Sequence, residues 1–276
     1  MDALGLLFGV IVGFSLGLTG GGGSIFAIPL LVYGMGVPMR EAVGISLAAV
    51  CATTLSGSLQ RWRKGEIERS AGILFAVAGM LGAPFGSLLG QQFPDVVLLG
   101  LFSLLMIVVA TRMWARSVYA PEESRAIRAL STAVDAGRGF TCQYDPEGQL
   151  RLTARCGVTL GLAGLATGVL SGMFGVGGGF VIVPALVFFG GMDIHRSIAT
   201  SLMIITLVSF SGLMAHLASG ERFDLTLVGV FVVGGVIGMQ LGAFSGRKLS
   251  GPVLQRAFAL SMLFTAGFII VKELLA

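Results

Sequence analysis

Charged residues leave long gaps along this chain, and the gaps predict its elements. No Asp, Glu, Lys or Arg occurs in residues 3–39, 42–60, 70–94, 96–111, 157–192, 225–246 or 257–271, and 197–220 carries only His216 near its end. A hydrocarbon core of ~30 Å is crossed by about 20 apolar residues in a helix. Most of the gaps therefore predict membrane-spanning helices, and there are too many of them for soluble core helices.

Two gaps do not fit a single crossing. Residues 3–39 are 37 positions long, more than one span needs at about 1.5 Å per residue and fewer than the ~40 that two complete spans and a turn would take. The tract is interrupted by Gly20, Gly21, Gly22 and Gly23, then by Pro29, and residues 157–192 repeat the interruption with the Gly175–Gly179 cluster and Pro184. Glycine costs about 1 kcal/mol relative to alanine inside a helix, so each tract reads as a helix broken at its glycines.

The second interruption is a copy of the first. Gly20, Gly22, Gly23 and Pro29 recur 155 positions later as Gly175, Gly177, Gly178 and Pro184, and Gly9, Gly13 and Gly17 recur as Gly164, Gly168 and Gly172. EAVGISL (41–47) faces RSIATSL (196–202) in the same register, and after one inserted residue Gly82, Gly86 and Gly90 return as Gly238, Gly242 and Gly246. The chain divides into a first membrane repeat (1–114), a polar linker (115–155) and a second membrane repeat (156–276). Within the linker, Arg125–Val134 predicts a helical run and residues 140–153 a short β-hairpin around Asp-Pro-Glu-Gly.

Composition agrees: 55% of the 276 residues are hydrophobic and 12% charged, about half the charge of a soluble domain, with a mean hydropathy of +0.92. Asp2 stands where a signal peptide would carry basic residues, so a cleavable leader is not expected. The three cysteines, Cys51, Cys142 and Cys156, lack metal-site spacing and indicate neither a metal centre nor a disulfide framework. The excess of Lys and Arg, 18 against 14 acidic residues, reports membrane orientation rather than a nucleic-acid partner.

That excess also bears on topology. If each broken tract crosses once, the repeats are parallel with eight spans, and the linker side holds thirteen Lys and Arg against five. If each tract dips in and returns as a hairpin before three further spans, the repeats are inverted and the ratio is fifteen to three. The positive-inside rule favours the second arrangement. Both put the linker of this multi-pass protein in the cytoplasm. The expected fold is all-α and polytopic, with inverted repeats.

Broken helices bring chemistry. A helix that restarts inside the membrane presents unpaired N–H groups and partial positive charge, which binds anions without a buried cation. Matching Gly/Pro interruptions in two halves are the sequence pointer to a transporter's binding site. Close helix packing is the alternative use of such glycines, and suits Gly9, Gly13 and Gly17. Gly20, Gly21, Gly22, Gly23, Ser24, Gly175, Gly177, Gly178 and Gly179 are the candidate substrate-binding backbone, with Pro29 and Pro184 as helix breaks. Ser46, Thr200 and Ser201 could offer hydroxyls, or bond their own helix carbonyls as Thr53 and Thr54 also could. Gln240 is a polar group expected to face the interior. Arg40, His195 and Arg196 stand where an entrance would be, either attracting anions or anchoring at the interface. His216 could carry a coupling proton, although a helix-end histidine in water is the plainer expectation.

GLTGGGGSIFAIPLL (17–31), SGMFGVGGGFVIVPAL (171–186) and the AVGISL and SIATSL segments together resemble the sulfite exporter TauE/SafE family, also called the toluene-sulfonate uptake permeases. The likeness covers both halves and rests on small residues, so it marks the family and not the substrate. It implies a secondary transporter for sulfite or small organosulfonates, in either direction, in the lipid bilayer of a bacterial inner (cell) membrane and with no cofactor. A passive anion channel is the second reading. An intramembrane enzyme is disfavoured, because the spans carry no paired carboxylates, HExxH or evident Ser/His pair.

Overall fold

The computed structural model describes residues 2–119, 143–144, 150–151, 154–175, 177–220, 224–246 and 251–275. The helical run expected at Arg125–Val134 lies outside the described residues. Of the linker, Gln143 pairs with Arg151 and Tyr144 with Leu150 as two antiparallel two-residue strands, where the hairpin was expected. Otherwise the described fold is helical.

The first repeat opens with α1 (Asp2–Thr19), broken at the glycines and resumed as α2 (Gly23–Pro29), which passes into a π-helical turn at Leu30–Gly34. Three long helices follow: α3 (Met39–Arg63), α4 (Arg69–Gly90) and α5 (Asp95–Tyr119). The second repeat matches it with α6 (Ala154–Phe174), α7 (Gly179–Phe188), α8 (Ile194–Ala218), α9 (Leu225–Gly246) and α10 (Gly251–Leu275). Among the described residues, five helices are long and apolar enough to cross a membrane: α3, α4, α6, α8 and α9.

The break ends at glycine, not at proline. Gly20 takes a φ of +75° and turns the chain out of α1, after which α2 folds back, with Gly23 against Val12 and Leu16 and Gly34 against Phe8. Pro29 and Pro184 lie inside α2 and α7. Pro29 removes an N–H from the ladder, and the wider π turn begins one residue later. The expected helix break at each proline is thus an α-to-π change in the first repeat, while in the second the helix continues past Pro184.

Glycine decides how the helices pair. Gly9, Gly13 and Gly17 of α1 lie against the backbone of α9, while Gly164, Gly168 and Gly172 of α6 lie in the same way against α4. A Cβ on Gly13 would overlap Gly235, and one on Gly168 would overlap Gly79. With no side chain between them the backbones approach closely, the geometry favoured where lipid removes the hydrophobic incentive to associate. Each seam joins one repeat to the other. At the centre α3 crosses α8, with Thr54 Oγ1 and Thr206 Oγ1 2.9 Å apart and Cys51 Sγ 3.5 Å from the Thr206 carbonyl oxygen.

Outward faces are apolar: Leu81 is 63% exposed, Phe85 64%, Phe244 65% and Phe264 74%, the reverse of a soluble surface and suited to lipid. Cys156 at the start of α6 is buried and disulfide-bonded, which corrects the expectation that the cysteines form no disulfide.

Candidate functional site

The two broken tracts converge. Gly20–Ser24 and Gly175, Gly177, Gly178 and Gly179 are all buried, and the backbone of Gly21 lies directly on that of Gly179. Gly20 packs on Ile198 of α8, and its repeat mate Gly175 packs on Val43 of α3, the repeat mate of Ile198. Each glycine tip is therefore seated on the first turns of the long helix from the other repeat.

Hydroxyls from both repeats close the first tip. The Gly22 N–H donates to Thr19 Oγ1 (2.9 Å), the Ser24 hydroxyl to the Gly21 carbonyl (2.8 Å), and the Ser201 hydroxyl to the Gly20 carbonyl (2.6 Å). The second tip differs in sequence and in shape. Phe174 replaces Thr19 and Gly179 replaces Ser24 in the repeat register. Gly175, Gly177 and Gly178 all take positive φ, between +66° and +67°, conformations that other residues adopt only with strain. The Gly178 carbonyl accepts from the N–H groups of Val181 (3.0 Å) and Ile182 (3.1 Å), opening α7.

The other candidates separate. Ser46 is fully buried on the α3 face that also carries Val43 and Val50, and its hydroxyl has no hydrogen-bond partner. Thr200 is buried but accepts from the Glu68 N–H at 3.0 Å, fastening the α3–α4 turn instead of facing the tips. Gln240 is exposed on α9, which corrects its expected inward position. His195 is exposed and its N–H donates to Asp193 Oδ2 at 3.1 Å, capping α8. Arg196 Nη2 lies 3.6 Å from Glu68 Oε2.

Arg40 has a different setting. It lines a cavity of about 30 Å³ with Val43, Ser87, Gln91, Gly172 and His216, space for about one water. Arg40 Nη2 donates to the Gln91 carbonyl at 3.3 Å, and His216 is 4% exposed. The expectation of a histidine in water is therefore corrected: the last turns of α8 carry it against α3 and α6. The cavity lies beside the second tip, since Val43 touches Gly175 and Gly172 precedes it in the chain.

Sequence reasoning missed Ser171 and Ser209, both fully buried beside the second tip without a hydrogen-bond partner. Ser209 is the repeat mate of Thr54, so the register could have found it; Ser171 is the mate of Leu16, and no signal pointed to it. Among the described residues no three His, Cys, Asp or Glu gather as metal ligands.

Apolar helices that surround two buried glycine turns and a small cavity lined by Arg40 and His216 define a polytopic membrane protein of the transporter class. The chain belongs to the sulfite exporter TauE/SafE family, whose model matches residues 5–269. It is 36% identical over 267 residues to a probable membrane transporter protein of Xylella fastidiosa, covering 95% of this chain and 92% of that one. It is 26% identical to the probable membrane transporter protein YdhB of Bacillus subtilis, over 87% of this chain and 86% of that protein. A probable membrane transporter protein of Haemophilus influenzae is 27% identical, with 95% of each chain covered. No solved structure matches this chain.

Proposed function

We propose that the protein is a secondary transporter that moves sulfite or small organosulfonate anions across a bacterial inner membrane. The anion is held where the two glycine breaks meet, by N–H groups and hydroxyls and not by a buried cationic side chain. The observation that carries this reading is the backbone contact of Gly21 with Gly179, two restarted helices brought together inside an apolar protein. Freed backbone groups at membrane depth are tolerated where they line a site or are buried in protein.

The repeats are inverted on this reading. Support comes from the register of α3 against α8: Leu47 neighbours Gly212, Thr54 neighbours Thr206, and Leu202 neighbours Gly57. Rising numbers on one helix meet falling numbers on the other, the register expected where equivalent helices of inverted repeats cross. The return of α2 along α1 supports the same hairpin arrangement, and the fifteen-to-three division of Lys and Arg then puts the linker in the cytoplasm.

Proteoliposomes given labelled sulfite, sulfoacetate or taurine test the function. Protein-dependent uptake that responds to an imposed pH gradient supports a secondary transporter with a coupling proton. Gradient-insensitive flux far above ~10³ per second would mean a channel, because alternating access waits on slow conformational steps. No flux of any of the three anions would end the proposal.

A further inference from the structure

We infer that the two glycine tips are not equivalent, and that the second tip alone coordinates the oxyanion, through Ser46, Ser171 and Ser209 and the start of α7. The inference rests on the proposed transport of an anion at the breaks and adds which half of the pair does the binding.

Three serines lie around the second tip, each from a different helix. Ser209 Oγ of α8 lies 2.8 Å from where a Cβ of Gly177 would stand, and Ser171 Cβ of α6 lies 3.2 Å from the same point on Gly178. Ser46 of α3 lies between Val43, which touches Gly175, and Val50, which touches Gly177, positions that share one helix face. All three residues are 0% exposed, and none of the three hydroxyls has a hydrogen-bond partner.

Burying one hydroxyl unpartnered is costly, and native proteins seldom leave such groups unsatisfied. Three around one turn mark a place where acceptor oxygens belong. Sulfite and sulfonates each carry three oxygens that accept hydrogen bonds. The helix that starts at Gly179 runs ten residues, so its N-terminal partial charge adds to the same point.

At the first tip the repeat mates of Ser46 and Ser209 are already bonded. Ser201, the repeat mate of Ser46, donates to the Gly20 carbonyl, Ser24 donates to the Gly21 carbonyl, and Thr19 accepts from Gly22. The mate of Ser209, Thr54, donates to the Val50 carbonyl at 2.7 Å. This tip is a closed turn that supports its neighbour through the Gly21–Gly179 contact. The cavity lined by Arg40 and His216 lies on the second tip's side.

The test is sulfite binding to the purified full-length protein, read as the sulfite-dependent rise in melting temperature, with the ligand-free melting temperature as the check on folding. Ser46→Ala, Ser171→Ala and Ser209→Ala should each weaken sulfite about ten-fold or more, the cost of losing a hydrogen bond to a charged group. Ser197→Ala should leave binding unchanged, although Ser197 is equally buried and unpartnered, because it is on the first turn of α8, away from Ser209 and the second tip. Where an alanine variant does not fold, Ser→Cys keeps the volume and weakens the donor, with the same expected loss. Equal losses for Ser24→Ala and Ser209→Ala, or full affinity in all three second-tip variants, would overturn the inequivalence while leaving transport standing. A wild-type protein that none of sulfite, sulfoacetate or taurine stabilises would instead remove the transport reading and this inference with it.

Discussion

Gly21 and Gly179 touch through their backbones, and a Cβ on either would overlap the other. The contact joins the break of one repeat to the break of the other, so the turns cannot shift independently.

Replacing either glycine tests that coupling. Gly21→Ala and Gly179→Ala should each cost about 1–3 kcal/mol of stability through overpacking and reduce sulfite uptake at least ten-fold. Gly36→Ala is the comparison, since Gly36 has a φ of +70° but nothing within 4 Å of its Cβ position. It should carry only the backbone strain, about 1–2 kcal/mol, with uptake retained. Melting curves and proteoliposome uptake measure both.

The helix seams give a second contrast. A Cβ at Gly13 or Gly168 meets the backbone of the partner helix, whereas one at Gly161 on α6 meets nothing within 4 Å. Gly13→Ala and Gly168→Ala should lower the melting temperature and the yield of folded protein, by about 1–3 kcal/mol each. Gly161→Ala should be neutral or raise stability by up to ~1 kcal/mol through helix propensity. A destabilised Gly161→Ala with a stable Gly168→Ala would contradict the packing described.

The contrast among glycines shows what could be read from the chain. Spacing by four marked Gly9, Gly13 and Gly17 for packing, and the 155-residue register tied them to Gly164, Gly168 and Gly172; both features survive because close backbone approach tolerates no side chain. The tips were legible for the same reason. What spacing could not show is which face of a helix turns inward when every face is apolar. Gln240 therefore came out exposed and His216 buried, and Thr200 fastened a turn through Glu68. Ser171 was invisible because its place beside the second tip depends on a neighbouring helix and its repeat mate is Leu16.

Arg40 lies at the rim of the cavity with its guanidinium on the Gln91 carbonyl. If it concentrates anions at the mouth, Arg40→Gln should raise KM about three- to ten-fold and leave the maximal rate nearly unchanged. The difference should shrink as ionic strength rises, because exposed charge is screened over ~10 Å at 0.1 M salt. Uptake kinetics at low and high salt decide it; a fall in maximal rate at unchanged KM would assign Arg40 to the conformational step.

Orientation gives the last prediction. Pro38 and Asp193, exposed residues before α3 and α8, are repeat mates, and inverted repeats put them on opposite membrane faces. In a chain with Cys51, Cys142 and Cys156 replaced by serine, a membrane-impermeant maleimide applied to intact cells should label Pro38→Cys, and should label Asp193→Cys only after permeabilisation. Equal labelling from outside would mean parallel repeats. The disulfide at Cys156 sharpens the same question, because the proposed orientation would turn this end of α6 toward the cytoplasm, where thiols are kept reduced. Alkylation of the wild-type chain in cells before lysis decides between the two: on the orientation derived from Lys and Arg, Cys156 should react as a thiol. A Cys156 that is already bonded in growing cells would put the linker on the oxidising side and reverse the orientation derived from Lys and Arg.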